Sequence, residues 1–248
     1  MPETETTAEI NHLTNAEILH YPGSDIIINR DADRLGWAYK LADLFQNDNV
    51  PPGWENVGPE IDEEDIDDDD EFYATELGDF KYGMAIGEVD GVKFLVKLKA
   101  WTRPDRRDWV PGEDSRWAKK MNSVLNEVRL SPEIKKVVDG PEMQALVQKY
   151  GYDSIRYVEP IIAILRHETG RKYLVYEYLP DTQNVYHLLN DKHEFELIDK
   201  FEEELKNTFL SQGIDAQEGE LHHVLVDKNN ALHLIDTEAY TRAPILTS

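Results

Sequence analysis

Residues 213–240 read GIDAQEGELHHVLVDKNNALHLIDTEAY. Two apolar runs, Val224–Val226 and Ala231–Ile235, flank the turn-forming residues Asp227, Lys228, Asn229 and Asn230, and this pattern predicts a β-hairpin. The apolar side chains bury and fix the backbone. Asp236 follows where the second strand stops, so its carboxylate can face a cleft instead of a core, the placement a metal ligand needs. Before the hairpin, Glu218, Glu220 and His222 alternate and would share one face of an extended segment, a spacing also compatible with a metal hydrolase.

Upstream of this stretch, Glu194–Ser211 carries Phe195, Ile198, Phe201, Leu205 and Phe209 on one stripe with acids opposite, the pattern of an amphipathic helix. Asn184–Leu189 is a shorter helix. Two strands precede it, Ile155–Leu165 and Arg171–Tyr178, joined by the turn at His167–Gly170. Ser115–Leu130 has Ala118, Met121, Val124, Leu125 and Val128 at helical spacing, with Glu127 on it ahead of Ser131-Pro132. A further helix spans Pro141–Tyr150 and stops at Gly151.

Earlier still, Phe72–Leu77, Tyr82–Val89 and Val92–Ala100 read as three strands, the last two joined by Asp90-Gly91, the strongest short hairpin signal in the chain. The final strand alternates Val92, Phe94, Val96 and Leu98 with Lys93, Leu95, Lys97 and Lys99. Three lysines on one face fit either a site for anions or a solvated edge strand. Asp25–Asn29 fits one buried strand, and Asp31–Gln46 a helix with Leu35, Ala38, Leu41, Ala42 and Phe45 inward. Residues 1–20 are polar and read as a tail or edge segment, with a short helical possibility at Asn15–His20. Arg103, Arg106 and Arg107 sit in a polar loop, where pairing with the protein's own carboxylates is the expected use.

Residues 224–238, VLVDKNNALHLIDTE, resemble the hairpin of protein-kinase-like phosphotransferases, whose pattern N-I-L-V-D-x-x-G-x-L-x-L-I-D-F ends in a magnesium-binding Asp. The resemblance covers about 72–240 and implies an α+β fold, two-lobed and protein-kinase-like, with a truncated C-terminal lobe, since twelve residues follow Asp236. It divides the chain into an N-terminal extension, 1–71, with an acidic linker at 60–71; an N-lobe, 72–180; and a minimal C-lobe, 181–248.

The same resemblance assigns roles. Phe94-Leu95-Val96-Lys97 is similar to the strand whose lysine binds ATP phosphates, making Lys97 the candidate, Lys99 its substitute, and Leu95 the residue beneath the adenine. Glu127 corresponds to the helix glutamate that orients this lysine, with Glu133 the alternative if the helix runs past Pro132. Gly78, Gly83 and Gly87 would belong to the loop and strand covering the phosphates, though they do not form a clean G-x-G-x-x-G. Glu177 and Tyr178 fall in the hinge, where main-chain groups bind the adenine edge.

Asp236 takes the metal-ligand position, with Thr237-Glu238 replacing Phe-Gly. The catalytic loop departs from the pattern. The family's Asn falls on His223 and the family's Asp on Glu218. A shortened loop makes Glu220 the base and His222 or His223 the second-metal neighbour; a lengthened one makes Asp215 the base.

Composition sets the outer bounds. The formal net charge of −24 argues against nucleic-acid phosphates or an anionic membrane as direct partners and permits a basic protein partner. Absence of cysteine rules out a disulfide framework and thiolate metal sites. No apolar run approaches the roughly 20 residues of a membrane span, and the first residues lack signal-peptide regions, so a cytoplasmic location is expected. The expected function is an atypical kinase-like transferase using ATP and Mg²⁺ to phosphorylate a hydroxyl of a protein or small molecule. The alternative is an inactive pseudokinase, an acidic protein-binding or nucleic-acid-mimicking module.

Overall fold

The computed structural model describes residues 15–32, 36–46, 51–57, 84–99, 115–166, 172–216, 220–237 and 240–243. The expected strand Phe72–Leu77, the acidic run 60–71, Gly78, Gly83, Glu218 and the three arginines lie outside them, as do the side chains of Lys99 and Glu220. The α+β class expected from the sequence is the class observed. The chain clusters into two units, Met1–Asn122 with Pro160–Tyr178, and Ser123–Glu159 with Leu179–Ser248.

The first unit is built on a wholly antiparallel seven-stranded sheet. Its strands in chain order are β1 (Ala16–Tyr21), β2 (Ser24–Asn29), β3 (Glu55–Asn56), β4 (Met84–Val89), β5 (Val92–Lys99), β7 (Ile162–Arg166) and β8 (Lys172–Glu177), after β6 (Ser154–Tyr157) of the second unit; the spatial order is β1-β2-β7-β8-β5-β4-β3. Residues 16–21 are therefore a strand and not a helix: Ala16 to Tyr21 pair with Asn29 to Ser24, and that ladder overrides a weak local helical preference.

Helix α1 (Trp37–Leu44) lies on one face of this sheet. Gly36, at φ 71°, starts it six residues later than Asp31, because a left-handed residue cannot continue a right-handed helix. Ala38, Leu41, Ala42 and Phe45 cluster with Ile26, Ile28, Phe94, Val96, Ile162, Ile164 and Val175, and Trp37 meets Phe94 edge to face at 5.4 Å. The opposite face is buried at Ile27, Ala163, Leu165, Leu174 and Tyr176. Burial of both faces explains the unbroken apolar runs of β2 and β7, which do not alternate as a half-solvated strand would.

In the second unit, β6 runs parallel to β12 (Ala231–Leu234), which forms the expected hairpin with β11 (Val224–Val226); β9 (Gln183–Asn184) completes the order β6-β12-β11-β9. A separate pair joins β10 (Ile214–Asp215) to β13 (Thr241–Arg242). Against these pack α2 (Ser115–Val138, from Ser123 on), α3 (Pro141–Lys149), α4 (Val185–Asp191) and α5 (Phe195–Ser211).

Three local expectations change here. Helix α2 runs through Pro132 instead of stopping near Leu130. Pro132 removes one ladder donor at a cost of about 3 kcal/mol, but Leu130, Ile134, Val137 and Val138 on the continuing turns are all buried in the unit's core. The run Ile155–Leu165 is two strands in different sheets, separated at Pro160, which has no amide to donate. Phe195, placed by spacing on the apolar stripe of α5, is exposed at the helix's first turn, beside the His193 ring. The rest of that stripe, Ile198, Phe201, Leu205 and Phe209, is buried as expected.

Among the described residues, no helix is long and apolar enough to cross a membrane.

Candidate functional site

Lys97 lies on an interior strand. It pairs with Met84 of β4 and Leu174 of β8, so β5 is not the solvated edge that the lysine pattern also allowed. Paired residues share a face, and the row through Lys97 continues as Met84, Leu174, Ala163 and Ile27. Lys97 is the one charged residue in that row, and it is half-buried. A cation in apolar surroundings interacts more strongly with an anion than one in water does. Leu95, two residues back on the same face, pairs with Ile86 and Tyr176. Strand β8 ends at exposed Glu177, and the amide of Tyr178 donates to the carbonyl of Lys93 (2.9 Å), fixing the main chain where the hinge is expected. Gly87 of β4 has a packing role: the Trp54 indole occupies the space a Cβ would need, 1.9 Å from the nearest ring atom.

In the second unit the hairpin closes with the amide of Ile235 donating to the carbonyl of His223 (2.8 Å). Asp236 then turns left-handed, at φ 56°, and the ladder ends. Aspartate is one of the few non-glycine residues that take this conformation readily. The Asp236 carboxylate, 14% exposed, lies 3.9 Å from His223 Nδ1. The structure thus brings these two sequence candidates together.

The segment before the hairpin is a 3₁₀ turn, Glu220–His223. Leu221 is buried and donates its amide to the Glu202 carboxylate of α5 (3.3 Å). His222 stacks on Tyr186 with ring centroids 3.6 Å apart, and its carbonyl accepts from the Asn184 side chain (2.7 Å). Asn184 also caps α4, its oxygen accepting from the His187 amide, so one side chain ties the loop to that helix. Asp215 is half-buried on β10, paired with Thr241.

Glu127 is fully buried on α2. The helix does continue to Glu133, but that carboxylate binds Arg242 (2.6 Å) at the surface. Lys97 belongs to the first unit; Glu127, Asp215, Glu220, His223 and Asp236 belong to the second. Among the described residues, no three His, Asp or Glu side chains converge as a metal site.

Sequence reasoning missed the groups behind Asp236. Thr237 Oγ1 lies 2.9 Å from the Tyr157 hydroxyl, which lies 3.3 Å from Ser131 Oγ. Burial pushes the Tyr157 hydroxyl well above the usual tyrosine range, and the negative charge of Glu127 adds to that. The replacement of Phe by Thr after Asp236 was the only trace of this in the sequence.

No family model and no curated protein matches the chain. Solved structures similar to it include a specific rhoptry antigen kinase domain of Toxoplasma gondii, 14% identical over 64% of this chain and 47% of that one, with a TM-score of 0.34. WbdD is 15% identical over 82% of this chain and 36% of its own, at 0.37; a second structure of it is described as a bifunctional kinase-methyltransferase. The chain spans less than half the length of each of these chains. Likenesses at this level decide nothing about its chemistry.

Proposed function

We propose that the chain is an atypical kinase-like phosphotransferase that moves the γ-phosphoryl group of ATP to a hydroxyl of a protein or small molecule. The observation that carries this reading is Asp236, in a left-handed turn at the end of a registered hairpin with its carboxylate largely shielded from water. Mg²⁺ is commonly held by one or two carboxylates plus substrate phosphates, so a single well-placed aspartate fits it. The nitrogen of His223 fits it poorly, because Mg²⁺ prefers oxygen ligands. Bound Mg-ATP supplies the phosphoryl group and neutralises charge as it transfers. In this reading Lys97 would hold phosphate oxygens, Asp236 would hold the metal, and Glu220 or Asp215 would accept the proton of the attacking hydroxyl.

One observation favours a second reading. By the sequence resemblance His223 takes the place of an oxygen ligand, and the proton acceptor has two candidates instead of one fixed aspartate. An inactive kinase-like protein whose acidic surface binds a basic partner accommodates both facts, together with the net charge of −24.

Thermal unfolding with and without Mg-ATP separates them, in wild type, Lys97→Ala and Asp236→Ala. Nucleotide at 100 times its dissociation constant adds about 2.7 kcal/mol, roughly 5–11 °C for a chain of this size. The proposal expects that rise in the wild type and its loss in both variants. A wild type indifferent to Mg-ATP would rule the transferase out.

A further inference from the structure

Three hydroxyls on three separate segments of the second unit meet in its interior: Thr237 beyond β12, Tyr157 on β6 and Ser131 on α2. Ser131 and Thr237 are fully buried and Tyr157 is 5% exposed. Each hydroxyl has one proton to give. Ser131 Oγ donates its proton to the Glu127 carbonyl (2.9 Å), which leaves it only able to accept from Tyr157. Tyr157 has then spent its proton and must accept from Thr237. The chain therefore has one direction, from Thr237 through Tyr157 and Ser131 to the backbone of α2.

We infer that Tyr157 is a positioning residue for Asp236: its hydroxyl, anchored on α2 through Ser131, holds Thr237 and so fixes the left-handed turn in which Asp236 presents its carboxylate. The inference rests on reading Asp236 as a metal ligand. Two observations support it beyond the distances. A buried threonine costs free energy unless its hydroxyl is bonded, so position 237 would favour an apolar residue if the network did nothing. Tyr157 also keeps its proton, since burial and the Glu127 charge both oppose ionisation. The clasp is thus present at any working pH.

The test is the dissociation constant of ATP, measured calorimetrically in Mg²⁺ and again in EDTA, for the wild type, Tyr157→Phe, Thr237→Val and Thr237→Ser. Tyr157→Phe and Thr237→Val keep shape while removing one hydroxyl; Thr237→Ser keeps the hydroxyl. Expected is a metal-dependent gain in the wild type that falls about tenfold in the first two variants, the size of one buried hydrogen bond, with affinity in EDTA unchanged. Thr237→Ser keeps the gain. If Tyr157→Phe folds poorly, the Thr237 pair alone decides. The inference is overturned if both hydroxyl-deleting variants keep the gain, or if affinity in EDTA drops equally, which marks general damage. A wild type that binds ATP no better with Mg²⁺ overturns the reading of Asp236 itself, and this inference with it.

Discussion

At the turn between β11 and β12, Asp227 accepts from the amides of Asn229 (2.8 Å) and Ala231 (3.0 Å) and meets His233 Nε2 at 3.2 Å. Arg156 Nε donates to His233 Nδ1 (2.7 Å), and because arginine only donates, the Nδ1 of His233 is unprotonated and its proton lies on Nε2, toward Asp227. The Ala231 amide, then His233 and the Asn229 amide, hold the Asp227 carboxyl below the usual aspartate range against the opposing effect of burial. A carboxyl depressed in the folded state contributes stability above its unfolded value, about pH 3.9, and loses it as pH falls through the folded value. Asp227→Asn can still accept from both amides but turns a donor toward His233. Urea unfolding should therefore show wild type above Asp227→Asn at pH 7, with the difference narrowing below about pH 4. A difference that does not change with pH would contradict this. Asp and Asn at the turn were legible in the sequence; Arg156 and His233, from strands far apart in the chain, were not, because nothing local marks a pair made by register.

Among the elements, the β4–β5 hairpin was the most legible, since Asp90 and Gly91 adopt positive φ (52° and 81°), as a two-residue hairpin turn requires. Its glycine at 87 was not. Only the packed structure shows Trp54 lying over Gly87 with its ring edge to face on Phe45 at 5.1 Å. Gly87→Ala must displace the indole or bend the strand, and we expect a loss of about 1–3 kcal/mol in urea unfolding. In a Trp54→Ala background the same change should cost little, since the obstacle is gone. An equal cost in both backgrounds would show that strand propensity, not the indole, sets it. The division of 155–165 between two sheets was illegible for a related reason: a continuous apolar run reports burial but not the partner that provides it.

For the whole molecule, 50 acidic residues face 26 basic ones. Net repulsion of this size opposes compaction, and salt screens it: raising ionic strength from about 0.01 M to about 0.1 M shortens the Debye length from about 30 Å to about 10 Å. Melting temperature should rise by roughly 2–4 °C, equivalent to about 1 kcal/mol. Surface pairs such as Lys149–Glu204 weaken over the same range. A fall in melting temperature would mean that they, and not the net charge, dominate. Composition, the α+β alternation, both hairpin turns and the position of Asp236 at a strand end were determined by the sequence alone, because turn chemistry and periodicity act over a few residues. The sheet order, the placement of half-buried Lys97 in an apolar row, the passage of α2 through Pro132 and the hydroxyl chain behind Asp236 were decided only by tertiary structure, because each depends on segments that meet through packing and leave no mark in their own neighbourhoods.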